Sequence, residues 1–282
     1  MTATASADGE RGSISSATTA PAKHVGSHRQ PQPSGIQQWL ALTKRMVRAM
    51  ATNGGLAVAL VAPLVFTVGF YLPLKFVMQL QGIDYAQFLM PIIVLQAMAF
   101  TAISAAQISA TEAITGLTDR LQTMPVAALA PLAARMTAGL VRSLVSLVAA
   151  LGYGYAIGFR FSAGPQQALL FCLVALAVST TLALGADAIG SLSKSPEATS
   201  QALTLPMLIF GMLSCGFVPE TGFPEWVRPF VRNQPISQFS FAMRDMAADG
   251  VQPSVLWPAL SWIVGLSIVF VPLAVWASVR RK

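Results

Sequence analysis

Six long apolar stretches constrain this chain more than any other feature. They run over Gly54–Pro73, Gln87–Ala110, Ala138–Gly158, Ala168–Ile189, Gln201–Val218 and Leu256–Val279. Each is long enough, as a helix, to cross about 30 Å of hydrocarbon. Only 10% of the 282 residues are charged, where a soluble domain carries about 25%. No soluble core needs six such segments, so the chain is expected to be an all-α integral membrane protein with six transmembrane helices. The connecting loops are too short for a second globular domain. One transmembrane domain is expected over 36–282, behind a disordered cytoplasmic tail over 1–35 with almost no large apolar side chains.

The net charge is +7, and its distribution sets an expected orientation. With both termini cytoplasmic, thirteen cations fall inside: Arg11, Lys23, Arg29, Lys44, Arg45, Arg48, Arg120, Arg135, Arg142, Lys194, Arg280, Arg281 and Lys282. Arg142 belongs to this set as a residue at the foot of its helix. Five fall outside: Lys75, Arg160, Arg228, Arg232 and Arg244. The excess inside matches the positive-inside rule for a plasma (inner) membrane protein. Cations gathered at membrane edges argue for the lipid bilayer, not nucleic acid, as the partner of the basic charge.

Residues 36–51, IQQWLALTKRMVRAMA, form a basic amphipathic segment. Ile36, Leu40, Val47 and Met50 share one helical face and Lys44, Arg45 and Arg48 another, with Trp39 suited to an interfacial depth. The loop after the second stretch, TEAITGLTDRLQTMPVAALAPLAARM, sets Leu117, Leu121 and Met124 at helical spacing while Asp119 and Arg120 project elsewhere. Pro125 stops that helix, whose short amphipathic form suits docking of a soluble partner or an ordinary interfacial loop. Gly154 and Gly158 stand in small-xxx-small spacing, which favours close helix packing. Asp187, near the inner end of the fourth stretch, is either a coupling carboxylate or a structural partner for Lys194 or a neighbouring helix. Ser195 is placed to cap a helix opened by Pro196, with Glu197 in its first turn. After the fifth stretch, prolines at 224, 229 and 235 limit an amphiphilic segment to two short outer re-entrant helices, broken at Asn233–Pro235.

Motifs for chemistry are missing. There is no G-x-x-x-x-G-K-[ST], no H-E-x-x-H, no C-x-x-C and no G-x-S-x-G. His24 and His28 sit in the tail, and Cys172 and Cys215 read as small packing residues, so no metal site and no catalytic residue are expected. The spans carry almost no ionisable group of the kind that proton- or sodium-coupled carriers place near the midplane. A transporter with such walls needs external drive, which points to a partner ATPase.

The loop LTDRLQTMPVAALAPLAAR, the segment FPEWVRPFVRNQPISQF with the later Arg244, and the six-span order behind an amphipathic lead-in together resemble one family. They are similar to the membrane permease of type-2 ABC exporters, in particular the actinobacterial daunorubicin- and doxorubicin-resistance permeases, some of whose mycobacterial members are implicated in exporting large surface lipids. The resemblance covers residues 36–282. It implies an interfacial connecting helix carrying Trp39, Lys44, Arg45 and Arg48. It implies a coupling helix over 112–125, with Glu112, Leu117, Asp119, Arg120, Leu121, Met124 and Pro125 at the ATPase contact. It implies an outer-loop motif of Trp226, Asn233, Pro235 and Arg244. Two permease chains, identical or distinct, would join two ATPase subunits. ATP and Mg would be used by those subunits, with no cofactor bound by this chain.

The expected function is therefore the permease subunit of an ATP-driven exporter for a bulky amphiphile, either an anthracycline-like drug or a complex surface lipid. Phe66, Phe70, Met98, Phe100, Phe210 and Met212 are candidates for the substrate path, though at helical spacing they also suit packing. The alternative is a membrane-embedded lipid-handling enzyme or accessory protein. The outer acids Glu220, Glu225, Asp245 and Asp249 lack the histidine and the paired spacing such an enzyme needs. A channel would want charged rings or filter loops, and neither is evident.

Overall fold

The computed structural model of this chain describes residues 34–80, 82, 84–116, 127 and 129–280. The expected tail, up to residue 33, lies outside the described residues, as do His24 and His28. Helix follows helix among the described residues: α1 (Gly35–Thr52), α2 (Gly55–Leu80), α3 (Tyr85–Ile114), α4 (Ala130–Ile157), α5 (Pro165–Leu192), α6 (Pro196–Met212), α7 (Arg228–Asn233), α8 (Pro235–Ala247) and α9 (Pro253–Arg280), with one 3-10 turn at Glu220–Gly222.

The helix starts follow local chemistry. Ser34 opens α1 with a capping box: its Oγ accepts from Gln37 N (3.4 Å) while Gln37 Oε1 accepts from Ser34 N (3.1 Å). Asp84 Oδ1 accepts from Ala86 N and Gln87 N at the start of α3, and Ser195 Oγ accepts from Ala198 N at the start of α6. Proline stands in the first turn of α4 through α8, where a missing N–H costs no helical bond.

Five helices among the described residues are long and apolar enough to span: α2, α3, α4, α5 and α9. Their order of burial decides the architecture. The most apolar window of α3 is 78% buried, against 17% for α2 and 11% for α9. α3 is therefore the central post, and α2 and α9 present apolar side chains outward, as lipid-facing helices do. The core gathers on α3 through Leu89, Met90, Ile92, Ile93, Val94 and Met98, each fully buried. α4, α5, α6, α2 and α8 pack around it.

The fifth expected stretch differs from the structure. In place of a span over 201–218 the chain forms α6 from Pro196 to Met212. The helix begins early because Ser195 and Pro196 start it. It stops early because the chain turns after Met212 and packs beneath α8. α6 is 17 residues long, about 25 Å of helix, and so falls short of the five long spans.

Two features lock the bundle. Thr101, Ser143 and Ser179, from α3, α4 and α5, form a closed hydroxyl triangle with edges of 3.0, 3.0 and 2.7 Å. Such interhelical hydroxyl bonds suit an apolar surround, where no water competes. Gly190 of α5 lies against the Ala106 carbonyl of α3, so that a Cβ there would run into backbone. Of the glycines expected to aid packing, Gly154 meets the Met90 side chain, whereas Gly158 caps α4 with φ +108 and has open space around it. Its role is the left-handed cap and not close packing.

Gly190→Ala is expected to destabilise the chain by about 1–3 kcal/mol through overpacking against α3. Gly152→Ala, with nothing within 4 Å of the added carbon, is expected to be neutral or slightly stabilising. Thermal unfolding of the two detergent-solubilised variants checks both.

Candidate functional site

A helix that ends inside a membrane protein leaves carbonyls that water cannot reach. α6 ends this way, and α8 supplies the partners. Arg244 Nη2 donates to Cys215 O and Gly216 O, both at 2.8 Å, and its Nε donates to Phe88 O at 3.0 Å. Its guanidinium also lies 3.6 Å from the Phe88 ring centroid, a cation–π contact. Burial pushes the Arg244 pKa down to about 10, so the group stays charged at neutral pH. The side-chain N–H of Gln234 donates to Leu213 O, and Ser237 Oγ accepts from Cys215 N at 3.0 Å. Trp262 Nε1 donates to Asn233 O (3.2 Å), fastening the α7–α8 joint to α9. Pro235 opens α8. Of the outer-loop residues expected as a motif, Asn233, Pro235 and Arg244 thus gather at the end of α6. Trp226 stands apart, 85% exposed.

Beneath this clamp lies a cavity of about 690 Å³ between α3, α5, α6, the α7–α8 joint and α9. Ile92, Phe210, Phe239 and Phe270 supply much of its wall. Gln96, Asn233 and Gln234 bring three side-chain amides, and no charged residue lines it. Gln96 reaches across α6 because Gly211 has no Cβ to block it. Gln234 Oε1 has no hydrogen-bond partner. Such a space suits a drug-sized apolar molecule, oriented by a few polar groups.

Of the residues singled out for a substrate path, Phe210 lines this cavity. Phe66, Phe70 and Phe100 form an aromatic cluster away from it, with Phe66–Phe100 centroids 5.2 Å apart and Phe70 against Phe217 at 4.2 Å. Met98 is fully buried in the core, and Met212 is 61% exposed. Sequence reasoning missed Ile92, Gln96, Phe239 and Phe270. The signal for Gln96 was present: an amide at the middle of an uncharged stretch.

The opposite end of the bundle carries a buried ion-pair network. Arg135 of α4 grips Asp187 of α5 with two bonds, Nε–Oδ1 at 2.6 Å and Nη2–Oδ2 at 3.0 Å. Its Nη1 also reaches Glu112 Oε2, in the last turn of α3, at 3.4 Å. The partner of Asp187 is therefore a neighbouring helix and not Lys194. A bidentate pair fixes geometry as well as charge, so this triad ties three spans at one level. Leu117, Asp119, Arg120, Leu121, Met124 and Pro125 lie outside the described residues. α1 packs along the first half of α4. Trp39 Nε1 donates to Thr137 Oγ1 (3.1 Å) and Gln38 Oε1 accepts from Ala127 N (3.0 Å). Lys44, Arg45 and Arg48 are exposed.

Residues 72–276 match the model of the ABC-2 family transporter proteins. The chain belongs to that family. It is similar to the doxorubicin resistance ABC transporter permease protein DrrB of Mycobacterium tuberculosis, 37% identical over 84% of this chain and 86% of the relative. It also resembles the probable doxorubicin resistance permease protein DrrC of the same organism, 32% identical over 57% of this chain and 58% of the relative. The daunorubicin resistance permease protein DrrB1 of Streptomyces coeruleorubidus is 26% identical over 67% of each chain. This chain is thus the multi-pass membrane permease subunit of an ABC exporter and not its ATPase. A permease of this kind works with an ABC ATPase subunit.

Arg135→Gln leaves Asp187 buried with its main partner gone, and is expected to cost about 3–5 kcal/mol. Arg244→Lys keeps the charge but loses the fork that serves three carbonyls. It is expected to lower the melting temperature while Trp226→Ala leaves it unchanged. Thermal melts of the purified full chain check both.

Proposed function

We propose that the cavity beneath Arg244 is the cargo station of an exporter for a bulky amphiphile, an anthracycline-like drug or a complex surface lipid. The wall carries this reading: about 690 Å³ lined by apolar side chains and three amides, without a charge. An ion would find no counter-charge there, while an amphiphile finds apolar area and a few hydrogen-bonding groups. The relatives named for doxorubicin and daunorubicin resistance fit such a cargo.

In this reading α6 and the turn after it make a sixth crossing, with α7 and α8 re-entrant on the outer side and both termini in the cytoplasm. The excess of Lys and Arg at the α1 end supports that orientation. Two permease chains, identical or homologous, pair with two ATPase subunits, which use ATP and Mg. This chain binds no cofactor itself. The segment 112–125 rests on the ATPase through Leu117, Asp119, Arg120, Leu121, Met124 and Pro125, and Glu112 links its motion to the Arg135–Asp187 pair. α1, with Trp39, Lys44, Arg45 and Arg48, is the connecting helix that follows. The outward path runs past Phe210 and Met212 of α6 toward the other permease. The cluster of Phe66, Phe70 and Phe100 packs α2 onto α3, and Met98 fills the core.

Ala99 lines the cavity, and Ala99→Phe should fill it. In cells carrying the permease with its ATPase, doxorubicin efflux or extractable surface lipid is expected to fall roughly tenfold, the equivalent of about 1.4 kcal/mol of lost binding. Val77→Phe on an exposed side of α2 should change neither. The readout that falls names the cargo class. Unchanged efflux and unchanged surface lipid with a filled cavity would refute the station. Charge reversal at Asp119 and Arg120 together is expected to leave insertion intact while uncoupling ATP hydrolysis from transport; normal transport by that variant contradicts the docking role.

A further inference from the structure

Arg142 has a charge with no partner. It sits about three turns into α4, is 5% exposed, and its Nε makes no hydrogen bond. No ion pair reaches it from any described residue. A buried guanidinium without a counter-ion is strongly unfavourable. Arg135, two turns earlier on the same helix, differs because Asp187 and Glu112 compensate it.

Arg142 lines a second cavity, of about 460 Å³, between α1, α3 and α4. Arg45 of α1, Arg135 and Glu112 share its wall, together with the amide of Asn53. Three guanidiniums thus face one lining carboxylate, with a second, Asp187, already held by Arg135. The space is kept open by small residues: Ala138 and Gly139 form part of the wall, and a carbon added at Gly139 would meet nothing within 4 Å. The cavity therefore has room, an unmatched positive charge, and donors whose natural partner is an anionic oxygen group.

We propose that this cavity binds the phosphate headgroup of an anionic phospholipid, with Arg142 as the buried contact and Arg45 at the mouth. Guanidinium is suited to phosphate because its fork matches two oxygens. A basic pocket between spans, at the end of the bundle that bears an amphipathic basic helix, meets headgroups by position. The cavity also touches Gly55, where α2 begins. From there α2 exposes Val58, Val61 and Val65 along one side, an apolar track for the acyl chains. A free phosphate would use the cations and leave that track bare. A lipid in this place would join α1 to α4, the joint otherwise made by Trp39 with Thr137 and Gln38 with Ala127. The inference concerns the membrane around the protein and is independent of which cargo the larger cavity carries.

The test uses the full chain in detergent. It is titrated with dioctanoyl phosphatidylglycerol, dioctanoyl phosphatidylcholine or inorganic phosphate, and the shift in melting temperature gives an apparent affinity. Phosphatidylglycerol should stabilise the protein, and phosphatidylcholine should do so far less. Arg142→Gln should weaken the phosphatidylglycerol effect at least about tenfold, while Lys75→Gln, at the far end of α2, should leave it intact. If Arg142→Gln does not fold, Arg45→Gln on the exposed side of α1 serves, with a severalfold loss expected. Equal stabilisation by the two lipids, or an undiminished effect in both arginine variants, overturns the site. Inorganic phosphate binding as tightly as phosphatidylglycerol overturns the lipid and assigns the cavity to soluble phosphate.

Discussion

Carbonyls freed where α6 ends must find donors, because an unsatisfied backbone group in an apolar surround costs several kcal/mol. Gln234 serves the Leu213 carbonyl, and Arg244 serves Cys215 and Gly216 in the turn that follows while bonding the Phe88 carbonyl of α3 and stacking on the Phe88 ring. Much follows from that contact. It lets α6 stop at Met212, lets α7 and α8 pack back against the bundle, and leaves a space open between α3, α5 and α9. A longer, unbroken α6 would need no clamp and would have no roof to put over a cavity.

Charge is sorted by end of the molecule. At the α8 end Arg160, Arg228 and Arg244 donate to backbone carbonyls. At the α1 end Arg135 serves two carboxylates, while Arg142 faces a cavity without a partner. Between them the bundle is held by small polar groups, Thr101 with Ser143 and Ser179, and by dense apolar packing on α3. This leaves the middle of the protein nearly free of fixed charge. Such an interior lets an amphiphile pass without pairing or desolvating an ion, and the work of transport then has to come from an attached ATPase.

The class of fold was legible in the sequence because hydrophobic length is a one-dimensional property. So were the cap at Ser195 and the break between α7 and α8 at Asn233–Pro235, which depend on local residue type. The amphipathic lead-in was legible as well, although its buried side follows Trp39, Thr43 and Met46 onto α4 and leaves Ile36 and Leu40 exposed. The end of α6 was not, since an apolar run through Val218 hides a turn that only Arg244 and Gln234, more than twenty residues later, make tolerable. The cavity wall was not legible either. Phe210 and Phe66 look alike in an apolar stretch, and which of them faces a void depends on how α3, α5 and α9 lean together. Asp187 and Arg135 are far apart in sequence and meet because α4 and α5 both pack on α3.

The most direct measurement is photoaffinity labelling of the permease–ATPase complex in membranes with an azido derivative of doxorubicin, followed by peptide mapping. Label on the α3 and α8 peptides bearing Ile92, Gln96 and Phe239, competed away by unlabelled drug, is the result expected of a cargo station beneath the Arg244 clamp. Competable label confined to the α2 peptide with Phe66 and Phe70, leaving α3 and α8 unmarked, would contradict it.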